Sequence, residues 1–183
     1  DPGVVEQILE MLTLIYGPLS VERGKQHTYL GICLDYRVEG EVTVSMVPYM
    51  QEIVDEFSED LSGKTAKTPA AHHLFDVNPE PEFLDGKRAD IFHRTVAKLL
   101  WASFRARPDI LLAISFLTSW VKKPDIDDWE KLVRLLVYIQ GSIDLKLWLS
   151  SSGMRIVKWW LDASFGTRDM RKSQTGGCLS MGE

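Results

Sequence analysis

The sequence has little cysteine and no long apolar run, and both absences limit what the chain can be. Its two cysteines, Cys33 and Cys178, lie outside any Cys-x-x-Cys or Cys/His spacing, so we expect neither a disulfide framework nor a zinc site. No segment approaches the roughly 20 consecutive apolar residues of a membrane helix. The first residues also lack the basic-then-apolar order of a secretory signal. We therefore expect an intracellular protein with no membrane partner.

The sequence also lacks an excess of positive charge. Lys and Arg number 21 against 26 Asp and Glu, which gives a net charge of -5. Affinity for a nucleic-acid backbone comes from clustered Lys and Arg, so this balance argues against a strongly basic nucleic-acid module. The chain has 183 residues, of which 45% are hydrophobic and 26% charged. This composition predicts a globular protein with a substantial core.

Apolar spacing in the first 60 residues predicts a helix, a β-hairpin and a second helix. The helix covers residues 4–16 and ends at Gly17-Pro18. Apolar residues alternate over 30–36 and again over 42–46, with Glu39-Gly40 between them, which predicts a hairpin with one buried face. The second helix follows Pro48 and carries an apolar stripe.

The rest of the chain divides into an irregular segment, a helical layer and a return to strands. Prolines interrupt residues 62–85 without any sustained period, which predicts an extended linker. Helical spacing then returns in three segments, over about 90–105, 108–117 and 126–140. After Gly141 the pattern is typical of strands, in three short runs: 145–149, 155–161 and 175–181.

Short motifs follow one another along nearly the whole chain, and their order carries more weight than any single one. The first group comprises Gly17-Pro18-Leu19, Tyr29-Leu30-Gly31-Ile32, Val44-Ser45, Tyr49-Met50 and Thr68-Pro69. The second comprises Phe92-His93-Arg94, Arg107-Pro108-Asp109-Ile110, Ala113, Pro124, Trp129 and Tyr138-Ile139-Gln140-Gly141. The third comprises Trp160-Leu161-Asp162-Ala163-Ser164-Phe165-Gly166 and Lys172-Ser173-Gln174-Thr175-Gly176-Gly177. This series resembles copia-type LTR retrotransposon polyproteins, from the end of the reverse transcriptase into the start of RNase H.

The resemblance implies an α+β fold in which a palm-end β-hairpin and short helices precede a three-helix thumb/connection layer. Antiparallel β-strands of a truncated RNase H-like domain would follow. Residues 1–61 would be the end of the palm and the start of the thumb, and 62–85 an extended linker. Residues 86–150 would form the helical thumb/connection, and 151–183 the first RNase H strands.

Asp162 is the one catalytic and metal-ligand candidate that the resemblance supplies. In the family, an aspartate at the end of the first RNase H strand helps a cluster of carboxylates to hold two Mg²⁺ ions. Considered without the family, an aspartate that closes a strand is commonly a turn former or a helix cap. One carboxylate cannot bind two metals, and the chain also lacks the Tyr-x-Asp-Asp turn of the polymerase site. We therefore expect Mg²⁺ only in a complete parent protein.

Candidates for nucleic-acid contact are Tyr29 on the predicted hairpin and the basic residues Arg105, Arg107, Arg168 and Lys172. Tyr29 occupies a position similar to the family's primer-contacting hairpin, although such a residue also serves as core. The basic residues have an ordinary alternative as solvated helix ends and turns.

The resemblance thus implies a fragment of a retrotransposon reverse transcriptase/RNase H that positions an RNA/DNA primer-template duplex. Its partners would be that duplex and the rest of the polyprotein, in the cytoplasm and, for the parent element, in a virus-like particle. Whether this RNA-directed DNA polymerase relative acts as an enzyme stays open, since the chain alone holds neither catalytic set. A non-catalytic relic or a reused protein-interaction module is the alternative.

Overall fold

The computed structural model describes residues 2–151, 156–168 and 172–181. Its helices are α1 Pro2–Tyr16, α2 Val47–Asp55, α3 Gly86–Ser103, α4 Leu111–Leu117 and α5 Ile126–Gly141, with a 3-10 turn, Pro108–Ile110, leading into α4. Its strands are β1 Gln26–Tyr29, β2 Ile32–Asp35, β3 Glu41–Ser45, β4 Leu147–Ser150, β5 Lys158–Arg168 and β6 Lys172–Ser180. The expected mixture of helices and antiparallel strands is therefore confirmed, with each predicted helix present.

The hydrophobic core lies among α2, α3, α4 and α5. Apolar stripes on these helices supply its fully buried side chains: Met50, Phe92, Leu99, Ile114, Leu117, Leu132, Leu135, Leu136 and Ile139. Each such burial stabilises the fold by about 1.5–3 kcal/mol. The helical layer is thus the body on which the remaining elements are placed.

A four-stranded antiparallel sheet in the order β1-β2-β3-β4 covers this body. Val44 of β3 is buried, and Leu147 pairs with it from β4 and packs against the same core. The run predicted over 145–149 is therefore a strand, and it joins the N-terminal hairpin. The chain leaves the sheet after β3 and returns to its edge only once the helical layer is complete.

The sequence prediction missed β1 and began the hairpin two residues early. Residues 30 and 31 form the tight turn between β1 and β2, with φ of +49° at Leu30 and +78° at Gly31. The alternation that placed Leu30 on a buried face was misleading, because this leucine is a turn residue and is 60% exposed.

Residues 56–85, which we call the strap, contain no helix or strand, yet they pack against the helical body. Leu61 and Leu74 are buried in the core. The Lys131 ammonium donates to the Asp76 carbonyl at 2.6 Å, and the Trp129 indole donates to the Glu59 carboxylate at 2.5 Å. The strap is thus irregular, as its prolines predict, but it is held to the surface of α5.

Strands β5 and β6 form a separate two-stranded hairpin whose two faces differ in chemistry. Trp159 pairs with Leu179 and Leu161 with Gly177 on an apolar face, while Trp160, Asp162 and Cys178 belong to the polar face. Leu161 is 73% exposed and Trp159 64%. The apolar face is therefore open to solvent.

A capping box starts α5 and contains a carboxyl with an unusual affinity for protons. Asp125 accepts from the Asp128 backbone N–H at 2.9 Å, and the Asp128 carboxyl accepts in return from the Asp125 N–H at 3.2 Å. Burial, which disfavours the charged form, and the nearby Asp125 carboxylate raise the pKa of Asp128 from 3.8 to about 6. The folded protein therefore holds a proton at Asp128 that the unfolded chain has released between about pH 4 and 6.

Asp128→Asn should make the free energy of unfolding less dependent on pH between about 4 and 7. A raised pKa stabilises the fold fully below pH 4, and this contribution is lost as the pH rises through 6. Asparagine cannot ionise and keeps an oxygen to accept from the Asp125 N–H. Urea unfolding at several pH values measures the difference in slope. Asp144→Asn, an exposed carboxylate just after α5, is the control and should leave the slope unchanged; an equal slope in Asp128→Asn would contradict the assignment.

Candidate nucleic-acid interface

The turn between β1 and β2 presents two large side chains to solvent. Tyr29 is 69% exposed and Leu30 60%, so Tyr29 lies on the surface and not in the core, the alternative that the sequence left open. The Tyr49 ring lies under the turn, 3.5 Å from where a Cβ on Gly31 would be. The left-handed conformation of Leu30 costs about 1–2 kcal/mol for a side chain of this type. Burial of the leucine does not offset this cost, so the turn carries strain together with an exposed apolar tip.

Arg105 lies just beyond the end of α3 and is held in a fixed place. Its guanidinium carbon is 3.9 Å from the centre of the Trp101 ring, a stacked cation–π arrangement. No carboxylate in the part of the chain that the structure describes forms an ion pair with it within 4 Å. Arg105 therefore remains able to bind a phosphate.

Arg107, two residues further on, has a different environment, and the nucleic-acid role that we predicted for it needs correction. Its side chain is only 1% exposed. The guanidinium donates to both oxygens of Asp109, at 3.0 and 2.8 Å, and to the Ser142 carbonyl and hydroxyl, at 3.1 and 2.8 Å. No surface of Arg107 is left for a phosphate, because its N–H donors are bonded to Asp109 and Ser142 inside the fold.

The same contacts explain the spacing of the Arg-Pro-Asp-Ile and Tyr-Ile-Gln-Gly motifs. The Tyr138 hydroxyl donates to Asp109 at 2.9 Å. Burial and the adjacent Asp109 carboxylate raise the pKa of the Tyr138 phenol. Together Arg107, Asp109, Tyr138 and Ser142 form what we call the arginine clamp, which ties the start of α4 to the end of α5. Sequence reasoning treated these residues as a family signature, although an arginine two residues before an aspartate is also the spacing of a local ion pair.

Asp162 lies on β5 of the separate hairpin, where it is exposed. Its cross-strand partner is Gly176, which has no side chain, so the carboxylate stands uncovered on the polar face between Trp160 and Ser164. No group of three His, Cys, Asp or Glu side chains that could hold a metal ion is present among the described residues. Within this part of the chain, Asp162 therefore belongs to no such group.

The two remaining basic candidates lie at the far end of the same hairpin. The backbones of Arg168 and Lys172 pair across β5 and β6, but their side chains, like residues 169–171, lie outside the described part of the structure. The predicted nucleic-acid residues thus belong to three different elements: the β1–β2 turn, the end of α3 and the β5–β6 hairpin.

None of the described helices is long and apolar enough to cross a membrane.

Comparison with known proteins supports the resemblance drawn from the motifs. The chain is 24% identical to the putative transposon Ty5-1 protein of Saccharomyces cerevisiae over 99% of its length and 57% of that protein. It is 28% identical over 76% of its length to the retrovirus-related Pol polyprotein from transposon TNT 1-94 of Nicotiana tabacum, covering 11% of it. An uncharacterized mitochondrial protein of Arabidopsis thaliana is 26% identical over 87% of this chain and 64% of that protein. No protein-family model matches the chain, and no solved structure is similar to it.

Two of these relatives are transposon proteins, and one of the two is a Pol polyprotein. The prediction of a copia-type retrotransposon polyprotein is confirmed. The chain spans between about a tenth and two thirds of the length of the curated relatives it matches, 11% at the least and 64% at the most.

Replacing Arg107 should destabilise the fold strongly. Arg107→Met removes the guanidinium donors from the Ser142 oxygens and from the Asp109 carboxylate, which keeps the Tyr138 hydroxyl, so we expect a loss of about 3–5 kcal/mol in the free energy of unfolding. Urea unfolding measures the loss. A double-mutant cycle with Asp109→Asn isolates the coupling between the two residues, which should exceed about 1 kcal/mol. Arg105→Met is the matched control, and its stacked position predicts a loss of about 1 kcal/mol or less; equal losses in the two variants would contradict the clamp.

Proposed function

We propose that this chain is the part of a copia-type reverse transcriptase that holds the primer-template duplex next to the catalytic regions. The observation that carries the proposal is the strained, exposed tip of the β1–β2 hairpin, formed by Tyr29 and Leu30. Strain that burial does not offset is a feature of binding and catalytic segments. The resemblance of the motifs supports the proposal, since it matches this hairpin to the one with which the family contacts its primer.

The chemistry of the tip fits an RNA/DNA hybrid. A hybrid of A-like form has a wide, shallow minor groove lined with sugars, and a tyrosine beside a leucine offers an apolar surface with one hydroxyl. Arg105 adds a positioned guanidinium for a phosphate. Such contacts hold a duplex in place without reading its sequence.

The acidic balance of the chain limits the strength of this binding. With a net charge of -5 and Arg107 used inside the fold, only a few phosphates are neutralised, and we expect weak binding with a shallow salt dependence.

We propose no catalytic step for this chain. A Mg²⁺ site would need carboxylates additional to Asp162, and polymerisation would need a Tyr-x-Asp-Asp turn, which the sequence lacks. We place the parent protein in the cytoplasm, in a virus-like particle.

Titration of a fluorescent RNA–DNA hybrid with the purified chain, followed by anisotropy, tests the proposal. Binding should weaken as salt rises, and Arg105→Ala should weaken it and reduce the slope of log K against log salt by about 1. Arg23→Ala is the control, since Arg23 is a surface arginine that pairs with Glu6 at 2.6 Å. No salt-dependent binding, in this chain or in a longer polyprotein that contains it, would overturn the proposal.

Leu30→Asn should separate stability from binding. Asparagine tolerates the left-handed conformation better than leucine does, so the free energy of unfolding should rise by about 0.5–1 kcal/mol. Hybrid affinity should fall, because the apolar tip is lost. Urea unfolding and the anisotropy titration measure the two effects on the same sample. Leu112→Asn, at an exposed leucine of α4, is the control and should lower stability without changing affinity; unchanged affinity in Leu30→Asn would remove the tip from the interface.

A second candidate function, a reused protein-interaction module, is favoured by the exposed apolar surface of α1 and of the β5–β6 hairpin. It predicts that the reading frame around this segment does not continue into the missing catalytic motifs. Sequencing the flanking genomic frame distinguishes the two functions.

A further inference from the structure

The Thr68-Pro69 pair of the strap is a sequence motif that duplex binding does not use. Pro69 is the only one of the eight prolines in the sequence that follows a serine or threonine. Thr68 is exposed. A large class of protein kinases transfers phosphate to a serine or threonine that precedes proline. The motif therefore makes Thr68 a chemically suitable phosphate acceptor, and the surrounding contacts show what a phosphate would bind.

The strap around Thr68 is loosely tied. Residues 65–70, which lie wholly in the described part of the chain, neither donate nor accept a backbone–backbone hydrogen bond. Within the segment, the Thr68 hydroxyl donates to the Ala70 carbonyl at 2.8 Å, a neutral bond that phosphorylation would remove. A kinase can therefore take up these residues in extended form without disrupting a helix or a strand.

Arg134 of α5 faces Thr68 with half of one guanidinium edge unused. Its Nη2 donates to the Thr68 hydroxyl oxygen at 3.1 Å, whereas its Nε is buried and has no hydrogen-bond partner. None of the ion pairs among the described residues includes Arg134. Arginine binds anions through two parallel bonds from such an edge, and Arg107 binds Asp109 through its own Nε and Nη2. A buried donor without a partner is unfavourable, so an anion on Thr68 would remove this cost.

We propose that Thr68 is the target of a proline-directed protein kinase, and that Arg134 binds the phosphothreonine and thereby locks the strap onto α5. In the transfer, the Thr68 hydroxyl oxygen attacks the γ-phosphorus of a nucleoside triphosphate. The bond from this phosphorus to the bridging oxygen breaks, and the nucleoside diphosphate leaves with the electron pair. The hydroxyl proton passes to a base of the kinase. The new phosphate oxygens then accept from both Nε and Nη2 of Arg134.

The charges near this position support binding of a phosphate, which carries about -1.5 to -2 at pH 7. Arg134 and Lys67, which directly precedes the threonine, are positive. Two carboxylates of α5 lie within seven residues before Arg134. Asp127 is already paired with Lys131 at 2.7 Å, and Glu130 is exposed, so water screens its repulsion. Phosphorylation thus exchanges a local neutral bond for charge-assisted bonds to α5.

Treatment of the folded, full chain with a cyclin-dependent kinase, Mg²⁺ and ATP tests the site, with mass spectrometry of the peptides as the measurement. We expect phosphate at Thr68, and Thr68→Ala should remove it. Thr65, an exposed threonine of the same strap that precedes alanine, is the internal control and should stay unmodified. No phosphate on Thr68, under conditions that modify a free peptide of residues 62–74, would overturn the proposal.

Titration of the phosphorylated chain by ³¹P NMR tests the role of Arg134. An adjacent guanidinium favours the dianion, so the second pKa of the phosphate should fall by about one unit from its usual value of about 6. In Arg134→Gln, and in the wild-type chain unfolded in urea, it should return to about 6. Arg94→Gln, at an exposed arginine of α3, is the control and should keep the lowered value. The same pKa in the folded and unfolded wild-type chain would contradict binding by Arg134.

Trypsin cleavage after Lys64 tests the lock itself. Lys64 is an exposed residue of the strap, and proteolysis follows the fraction of molecules in which the strap is open. Phosphorylation should slow this cleavage by about tenfold in the wild-type chain and should leave the rate in Arg134→Gln unchanged. Equal slowing in both proteins would mean that the phosphate acts on trypsin directly, and the lock would be wrong.

Discussion

The pairing of β4 with β3 is the constraint on which the body of this protein depends. Val44 and Leu147 lie opposite each other in that pairing and face the same core. Because the helical layer lies between these strands in sequence, the pair closes the chain around α2, α3, α4 and α5. The sheet covers one side of the helices. The helices in turn bury the apolar face of the sheet, so no second sheet is needed to cover it. The strap completes the enclosure from outside through its bonds to α5.

The arginine clamp performs a similar task on a smaller scale. The loop between α3 and α4 is turned by backbone N–H groups of residues 105–107 that donate to the Ala102 carbonyl, and side chains then tie it to α5. Arg107 fixes it by binding Asp109 beside it and Ser142 beyond α5 in one planar arrangement, which a lysine could not reproduce. Two arginines of one short segment therefore have opposite uses. Arg105 lies on the surface, where it can bind a ligand. Arg107 is buried, and its donors are already bonded to Asp109 and Ser142.

Periodicity was sufficient to predict α1, α2, α3, α4 and α5, because each helix has an apolar stripe, and the stripes of α2, α3, α4 and α5 form the core. It failed at Leu30, where alternation continued through a turn that only backbone dihedral angles reveal. It also could not show that β4 pairs with β3, since a short apolar run does not specify its partner across a hundred residues. For the site, the family motifs supplied Asp162 and Tyr29 as candidates, and their roles stay predictions. The burial of Arg107 depends on tertiary contacts that no local pattern encodes. The exposure of the apolar face of the β5–β6 hairpin likewise depends on how the described residues pack.

The late return of the chain to the sheet has a consequence for synthesis on the ribosome. From Val44 to its partner Leu147 the separation is 103 residues. At 5–20 residues per second, β4 is therefore synthesised about 5–20 s after β3, and until then the edge of β3 is unpaired. During that interval a three-stranded meander with one apolar face is exposed beside a growing helical chain. The nascent protein is therefore most vulnerable to wrong strand pairing before β4 emerges, and binding by a chaperone would be of most use in that period.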